Sequence, residues 1–356
     1  MFIADVYYRK SDHLVRLMTG LHLLEKQGLI QCRYIRDDDY QVLPCGAFIL
    51  EMRIAGKRIA FDMSDASGLY QEHVRNYLDQ VDVYFERSHI DWGYLKVLEG
   101  SLQKIHPFGF NYYTTYRGNP AFLPSQSGSI LKRAVRDYLN NSSCTRVEAF
   151  EGTANFDPLK KPNIVFMTRL WDPADVKITA ETPASDREYR EKRIAERRVI
   201  NAERIQICRM MKSIYGANFY GGIQKSNYAI KQCPDLVLPT RATLKTNYLY
   251  TMKKADICIG SSGLEHSIGW KTGEYVAAAR AIVCEELIHS LPGGFREGIN
   301  FLSYCNVDSC LSAVEKLVND PERILQMQHS NEAYYKSYLR PDIQILNALR
   351  SCDILI

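Results

Sequence analysis

The segment GLEHSIGWKTGEYVAAARAIVCE, residues 263–285, brings several groups that can bind a polar ligand into one short stretch. It follows the apolar run DICIG, which predicts a buried strand, and it leads into an alanine-rich helix. Gly263, Gly269 and Gly273 allow a ligand to approach the backbone closely. The helix that starts near Lys271 presents unpaired N–H groups and the positive end of its dipole. We therefore expect an anion-binding loop at the carboxyl end of this strand.

The side chains of this loop suit one kind of ligand. A diphosphate would be bound by the loop N–H groups, the Lys271 ammonium and His266, while the Glu274 carboxylate could accept hydrogen bonds from both hydroxyls of a ribose. Each residue also has a structural interpretation, in which Glu274 favours the helix dipole, His266 is an ordinary loop histidine and Lys271 is solvated. Their combination in one strand-to-helix loop favours the ligand site.

Strands and helices that would position this loop alternate along both halves of the chain. MFIADVYY predicts a strand, HLVRLMTGLHLLEKQG a helix and IQCRYI a second strand, and the alternation resumes with NIVFMT at residues 163–168. Such alternation implies parallel sheets that are covered on both faces. The sequence therefore predicts an α/β fold of two Rossmann-like, doubly wound domains facing a cleft, with ligands at the carboxyl ends of the strands.

A change in composition marks the junction between the two domains. The segments RGNPAFLPSQSGS and NNSSCTRVEAFEGTANFDPLKKP are rich in Gly, Pro, Ser and Asn. We predict an N-terminal domain over residues 1–118, a linker region over 119–160, a C-terminal domain over 161–335 and a helix over 336–356 that crosses back to the N-terminal domain. The 356 residues are enough for two separate hydrophobic cores.

The composition disfavours several classes of protein. Lys and Arg total 45 against 41 Asp and Glu, so the charge balance gives no indication of a nucleic-acid surface. The ten cysteines form no CxxC pair and several lie in apolar runs, which is typical of reduced thiols in a cytoplasmic protein. No apolar run approaches the roughly 18 residues of a transmembrane helix, and the early charges argue against a signal peptide.

Two charged segments have competing interpretations. REYREKRIAERR, residues 187–198, would permit peripheral contact with phosphates or a membrane surface, but the apolar residues within and after it favour an amphipathic helix with a solvated face. RDDDY, residues 36–40, has the acidic spacing of some metal sites, but it follows only the second predicted strand and is far along the chain from the anion-binding loop. We interpret it as a solvated turn and expect no metal.

The loop motif resembles that of a known family. HSIGWKTGE, residues 266–274, is similar to the nucleotide-sugar signature of two-domain (GT-B) glycosyltransferases, in which a His and a Glu eight positions later bind the diphosphate and the ribose. KTGEYVAAARAIV and LPGGFREGINFLSY resemble segments of glycosyltransferases of family four and of the CgeB-like group. IVFMTRLWDP resembles the first strand of their donor domain, and Arg169 matches an Arg that reaches the donor phosphates. The resemblance covers residues 162–345.

The resemblance implies that a nucleotide-diphosphate sugar binds to the C-terminal domain and that no other cofactor is needed. The residues that it assigns to this donor are Arg169, Glu265, His266, Gly269, Lys271, Thr272, Gly273 and Glu274. The family usually has an acidic residue where this chain has His266, so either His266 or Glu265 could face the sugar. Ala174 stands where the family often has a Lys, so retention or inversion of the sugar configuration stays open.

The N-terminal domain would hold the acceptor, and its loops offer candidates for a catalytic base. His13 follows the first predicted strand and Asp65 follows the third, although His13 could equally be a polar residue near a helix start. If the configuration is retained, no protein base is required, because the leaving phosphate can accept the proton while positive groups stabilise its charge. The candidate catalytic residues are His13, Asp65, Arg169 and Lys271.

We therefore expect a metal-independent glycosyltransferase that transfers a sugar from a nucleotide-diphosphate sugar to a glycan or other hydroxyl acceptor. Polysaccharide biosynthesis is the usual setting of the family. Two alternatives remain open: a catalytically silent GT-B-like subunit that partners another glycosyltransferase, and a sugar-nucleotide epimerase of similar architecture. A dinucleotide-binding Rossmann protein is disfavoured, because DVYYRKSDH contains no glycine where the GxGxxG turn would lie.

Overall fold

The computed structural model describes residues 1–92, 95–122, 145–178 and 184–354. Two sheets organise these residues, one in each half of the chain, and both have helices on their two faces. Most of the predicted linker, residues 123–144, lies outside the described residues, as do residues 355–356 of the predicted C-terminal helix. Among the described helices, none is both long and apolar enough to cross a membrane.

The N-terminal sheet has six strands in the order β2-β1-β3-β4-β5-β6. Their bounds are β1 Phe2–Tyr8, β2 Ile30–Arg36, β3 Ile49–Ile54, β4 Lys57–Asp62, β5 Val83–Glu86 and β6 Ile105–Pro107. β1 runs parallel to β2, and β4, β5 and β6 run parallel to one another. The carboxyl ends of β1, β4 and β5 therefore meet at one edge of the sheet.

β3 corrects the expectation of a wholly parallel sheet. It runs antiparallel to both β1 and β4, and only Ala55 and Gly56 connect it to β4. Both residues have positive φ, +51° and +76°, as in the two-residue turns that join antiparallel strands. A connection this short cannot make the crossover that a parallel pair needs. The hairpin inserts one strand between β1 and β4 without changing the edge to which their carboxyl ends point.

The C-terminal sheet is entirely parallel, with five strands in the order β11-β10-β9-β7-β8. Their bounds are β7 Ile164–Thr168, β8 Phe219–Ile223, β9 Ile257–Gly260, β10 Ala281–Glu285 and β11 Leu302–Tyr304. All five residues of β7 and all four of β9 are buried, as expected of central strands covered on both faces. This confirms the prediction of a second doubly wound domain.

The helices cover the faces of the two sheets. Their bounds are α1 Val15–Lys26, α2 Glu72–Leu78, α3 Val147–Phe150, α4 Ala184–Tyr215, α5 Asn227–Gln232, α6 Lys245–Lys254, α7 Trp270–Ala277, α8 Val307–Val318, α9 Pro321–Tyr334 and α10 Pro341–Ser351. A short π-helical segment, Tyr335–Leu339, joins α9 to α10. The sequence predicted the long α4 over about 187–215, close to its observed bounds.

The chain passes between the domains twice within the described residues. Phe110 and Tyr112, which lie inside the predicted N-terminal range 1–118, pack in a hydrophobic core of the C-terminal domain. In the other direction, α10 packs against α1 and supplies Ile345 and Leu349 to the N-terminal core. The Arg16 guanidinium of α1 joins the two crossings, since it donates hydrogen bonds to the carbonyls of Phe110 and Leu339. These contacts hold the domains so that their strand ends face each other.

Candidate active site

A cavity of about 770 Å³ lies between the two domains, where the carboxyl ends of their strands face each other. A volume of this size is typical of sites for small molecules and cofactors. Its N-terminal wall consists of the loops after β1 and β4 together with Phe48, and its C-terminal wall of the loops after β7 and β9 with parts of α4, α6 and α7. The cavity therefore lies where doubly wound domains bind their ligands.

Glu274 lies in α7 and faces this cavity from a buried position. Its carboxylate accepts a hydrogen bond from the Lys245 ammonium at 2.6 Å and another from the Tyr248 hydroxyl at 2.6 Å. Burial raises the pKa of the Glu274 carboxyl, but the charges of Lys245 and Lys271 outweigh it, so the pKa lies below its usual value. Glu274 is therefore an ionised acceptor, and its remaining lone pairs can accept hydrogen bonds from a ligand.

Lys271 and Arg169 bring positive charge to the same wall. The Lys271 ammonium lies 3.9 Å from the centre of the Tyr248 ring, and burial lowers its pKa to about 8. Arg169 follows β7 directly and lies beside the ring of Trp171. In the part of the chain that the structure describes, neither side chain makes an ion pair or a hydrogen bond. Both charges are therefore available to an anion in the cavity.

Arg204 of α4 joins the two loops that carry these groups. Its guanidinium is buried and donates hydrogen bonds to the Arg169 carbonyl at 2.7 Å, the Ser261 hydroxyl at 3.0 Å and the Ser262 carbonyl at 2.9 Å. One face of the guanidinium covers the Trp171 ring, 4.4 Å from its centre. Because each of its three nitrogens donates to one of these groups, Arg204 fixes the loops after β7 and β9 relative to each other.

Glu265 occupies a strained position in the loop after β9. Its φ of +60° lies in the left-handed region, which is uncommon for residues other than glycine. The N-terminal half of α4 holds it there, because its carboxylate accepts a hydrogen bond from the Tyr189 hydroxyl at 2.7 Å and pairs with Arg193 at 3.0 Å. Its backbone N–H donates to the carboxylate of Glu196. Backbone strain of this kind often marks a functional position.

The structure does not bring every predicted donor residue to the cavity. Glu265, Gly269, Lys271, Glu274 and Arg169 line it. His266, Thr272 and Gly273 are not among the lining residues, although the family resemblance assigned all three to the donor.

A physical reason accounts for each of these three positions. The +54° φ of His266 follows the left-handed turn at Glu265, and its side chain is exposed to solvent. Thr272 is buried against Gly260, and a side chain on Gly273 would lie 3.1 Å from Tyr112, so both residues serve helix packing. Between the two residues that the resemblance left open, the structure therefore places Glu265 in the cavity.

His13 and Asp65 lie together on the opposite wall. The His13 Nδ1 atom is 3.0 Å from the Met63 carbonyl oxygen and 3.9 Å from the nearer carboxylate oxygen of Asp65. The His13 ring stacks on Phe48 at 4.2 Å and meets the edge of Trp270, from the C-terminal domain, at 5.5 Å. The two candidates for a base thus form one cluster, and this cluster contacts the first residue of α7.

The hydrogen bond to Met63 determines which nitrogen of His13 can accept a proton. A carbonyl oxygen can only accept, so Nδ1 carries the hydrogen and Nε2 holds the free lone pair of the neutral ring. Burial lowers the pKa of His13, the charge of Asp65 raises it and the charge of Arg87 lowers it, and the net effect is a pKa below 6.5. Near neutral pH His13 is therefore an uncharged ring with one nitrogen able to act as a base.

Several residues of the site escaped the sequence analysis. Lys245 and Tyr248 hold Glu274 from α6, and Arg193 and Arg204 belong to α4, for which the sequence predicts an amphipathic helix with a solvated face. The sequence of α4 does contain an indication of this role, because Arg193 and Arg204 lie on the less exposed side of the helix together with its apolar residues. No comparable signal marks Lys245, because its partner is 29 residues away in the sequence.

The acidic turn at residues 36–40 has a structural role. The Asp37 carboxylate accepts hydrogen bonds from the backbone N–H groups of Gln41, Val42 and Leu43, which closes the loop after β2. No cluster of three or more His, Cys, Asp or Glu side chains suited to a metal ion occurs within residues 1–92, 95–122, 145–178 and 184–354.

Two Rossmann-like domains that face each other across a cleft at the carboxyl ends of their strands define the GT-B fold, and this chain has that fold. No protein-family model matches the chain, and no curated protein matches it in sequence.

Solved structures with a similar arrangement include UDP-bound MnaA from S. aureus, with a TM-score of 0.43, 10% identity and coverage of 100% of this chain and 98% of that one. HepE from Anabaena, in complex with UDP and glucose, has a TM-score of 0.34 and 8% identity, with coverage of 99% and 100%. A glycosyltransferase from Rickettsia africae has a TM-score of 0.40 and 9% identity, with coverage of 95% and 80%. None of these likenesses transfers an activity to this chain.

Proposed function

We propose that this protein is a glycosyltransferase that binds a nucleotide-diphosphate sugar through its C-terminal domain and transfers the sugar to a hydroxyl of an acceptor held against the N-terminal domain. The observation that carries the proposal is the pattern of charges in the cavity. Lys245 pairs with Glu274 and Arg193 pairs with Glu265, while the hydrogen bonds of Arg204 go to the surrounding loops. Among the described residues that line the cavity, Arg169 and Lys271 are the cations without an ion pair or a side-chain hydrogen bond, and two such charges on one wall suit the two phosphates of a diphosphate.

The remaining contacts of the donor follow from the same wall. Glu274, an ionised carboxylate near the start of α7, would accept hydrogen bonds from the ribose hydroxyls. Glu265 precedes Gly269 in the sequence, whereas Glu274 follows it. Glu265 would accept hydrogen bonds from hydroxyls of the transferred sugar. This arrangement needs no metal ion, because Arg169 and Lys271 supply the positive charge that stabilises the diphosphate as it leaves.

His13 is the proposed base on the acceptor side. As the acceptor oxygen forms its bond to the anomeric carbon of the sugar, the His13 Nε2 atom takes the proton of that hydroxyl. The bond from the anomeric carbon to the phosphate oxygen breaks, and the nucleoside diphosphate leaves with that electron pair. Asp65 would stabilise the imidazolium that forms. This route inverts the sugar configuration, and the fixed tautomer of His13 favours it over direct proton transfer to the leaving phosphate.

The experiment is a transfer assay with UDP-, GDP- and ADP-sugars, in which release of the nucleoside diphosphate is measured in the presence of a chelator and a panel of saccharide acceptors. We expect release from one class of donor, dependent on acceptor, and greatly reduced in His13→Asn. NMR of the product gives its anomeric configuration and tests the base. A sugar nucleotide that is isomerised without acceptor would identify an epimerase instead, and binding without any turnover would favour a silent subunit.

A further inference from the structure

Arg87 connects the two walls of the cavity. It follows β5 directly, and only 1% of its side chain is exposed. Its guanidinium donates one hydrogen bond to the Asp65 carboxylate of its own domain and another to the Ile268 carbonyl of the C-terminal domain, at 2.6 Å. No sequence pattern singles out this residue, because its carbonyl partner is 181 positions away.

On the N-terminal side, the bond from Arg87 leads to the proposed base. The Asp65 oxygen that accepts from Arg87 is also the oxygen that lies 3.9 Å from Nδ1 of His13. Ser88 fixes the backbone of the same loop, since its hydroxyl contacts the carbonyls of Ser64 and Asp65 at 3.0 and 2.7 Å. The position of the Asp65 carboxylate therefore depends on Arg87, and so does the charge that His13 experiences.

On the C-terminal side, Arg87 is bonded to the donor loop, which is the loop after β9, residues 261–269. Ile268 lies between Glu265 and Gly269, two residues that line the cavity, and its side chain is anchored in the C-terminal core. A second bond crosses nearby, from the Ser290 N–H to the His89 carbonyl at 2.9 Å. A movement of the donor loop that displaces the Ile268 carbonyl would therefore either move the Arg87 guanidinium or break this hydrogen bond.

We propose that Arg87 is a positioning residue that couples the conformation of the donor loop to the orientation of His13 through Asp65. The inference rests on the proposed function, in which the donor loop binds the sugar nucleotide and His13 is the base for the acceptor hydroxyl. A planar guanidinium presents several donors in fixed directions, so one Arg can bind a carboxylate on one side and a carbonyl on the other. A lysine carries the same charge but lacks this geometry.

The charged groups that face His13 define what a substitution of Arg87 should do. They are Asp12 on its own element, Asp65 from the loop after β4 and Arg87 from the loop after β5, while Phe48 and Trp270 contribute uncharged rings. Asp65 and Asp12 raise the pKa of His13 and Arg87 lowers it. Arg87→Gln removes the positive charge and should raise the pKa of His13, whereas Arg87→Lys keeps the charge and breaks the bridge.

The test is an NMR titration of the histidine side chains in the full chain, with the His13 signal assigned by its loss in His13→Asn. The wild type is first titrated with UDP, GDP, ADP and CDP, and the diphosphate that binds is used for all variants. We expect it to shift the His13 signal in the wild type. In Arg87→Lys this shift should be lost although the diphosphate still binds, and in Arg87→Gln the pKa of His13 should rise without ligand.

The control is Arg75→Gln, which removes a guanidinium that bonds to two carbonyls within the N-terminal domain and should leave the His13 signal unchanged. A His13 response in Arg87→Lys equal to that of the wild type would overturn the coupling, because a purely electrostatic effect of the bound phosphates would survive that substitution. Failure of all four diphosphates to bind the wild type would overturn the proposed function itself and, with it, the coupling.

Discussion

The ammonium of Lys245 lies 2.6 Å from Oε1 of Glu274, so that α6 holds the carboxylate that α7 presents to the cavity. The Tyr248 hydroxyl, one turn further along α6, donates to the other oxygen. Together the two hydrogen bonds fix the orientation of the Glu274 carboxylate before any ligand binds. The candidate donor site is therefore preorganised by two helices and is more than a single loop motif.

The pair Lys245–Glu274 should be coupled in stability. Lys245→Gln removes the nearer of the two cations beside a buried carboxylate and should lower the free energy of unfolding by about 1–3 kcal/mol, the cost of leaving a buried acceptor without its hydrogen bond. The double variant Lys245→Gln/Glu274→Gln should lose less than the sum of the two single variants. Denaturant unfolding of the four proteins measures this cycle, and strictly additive losses would contradict the pairing.

Nucleoside diphosphate binding should weaken at alkaline pH. The pKa of Lys271 lies at about 8 because of burial, so the unliganded protein loses this positive charge as the pH rises through that value. Above it, the affinity should fall by up to about tenfold per pH unit, because binding then requires uptake of a proton. Calorimetric titrations across this range measure the effect. Lys271→Arg, which stays charged, should bind with little change, and an equal decline in that variant would argue against Lys271.

The rate of transfer should depend on the protonation of His13. Burial places the pKa of His13 below 6.5, and the ring acts as a base only when neutral. The value of kcat/KM should therefore be insensitive to pH near neutrality and should fall as the pH drops below 6.5 and passes through this lowered pKa. The substitution Asp65→Asn removes a negative charge that raises the pKa of His13, so kcat/KM should begin to decline at a still lower pH. A decline that begins above 6.5 in the wild type would contradict the assignment.

Glu265 and His266 can be separated by their effects on donor binding and turnover. Glu265→Gln should leave the affinity for the nucleoside diphosphate unchanged and reduce turnover of the sugar nucleotide by about 10–100-fold, the effect of losing a hydrogen bond to a charged group that only the sugar would contact. His266→Gln is the matched control, since the His266 side chain is exposed and lies outside the cavity. His266→Gln should change neither the affinity nor the turnover. If His266→Gln reduced turnover and Glu265→Gln did not, His266 would be the residue that contacts the sugar.

The contact between α1 and α10 should be intolerant of added volume. A Cβ atom at Gly20 would overlap the Pro341 carbonyl oxygen, so Gly20→Ala forces the two helices apart. We expect the free energy of unfolding to fall by about 1–3 kcal/mol, the usual cost of overpacking a core. Gly100→Ala is a suitable control, because a Cβ there would have no atom within 4 Å. Equal stability of the two variants by thermal or denaturant unfolding would exclude this tight packing.

The parts of the site that the sequence revealed are those encoded locally. The strand, the glycine-containing loop and the helix around Lys271 and Glu274 follow one another in the chain, so their spacing predicts their geometry. His13 and Asp65 were identifiable because they follow strands whose carboxyl ends meet. Lys245 and Arg87 could not be identified in this way. The partner of Lys245 is 29 residues away in the sequence and the two partners of Arg87 are 22 and 181 residues away, so only the fold brings them together.

Two local details also escaped prediction from the sequence. The strand β3 follows an irregular segment. Five of its six residues are buried, so it lacks the alternation of apolar and polar residues that marks a half-buried strand. His266 fits the spacing of the family motif, but the left-handed turn at Glu265 directs its side chain to solvent. Both depend on backbone conformation that residue types alone do not specify.

The most direct measurement is a calorimetric titration of the wild type and of Glu274→Gln with UDP, GDP, ADP and CDP in the presence of a chelator, after thermal unfolding has shown that both proteins are folded. We predict that one diphosphate binds the wild type without metal and that Glu274→Gln binds it about 10–100-fold more weakly, the cost of losing hydrogen bonds to a charged group. Absence of binding to the wild type, or equal binding to both proteins, would contradict a donor site at this cavity.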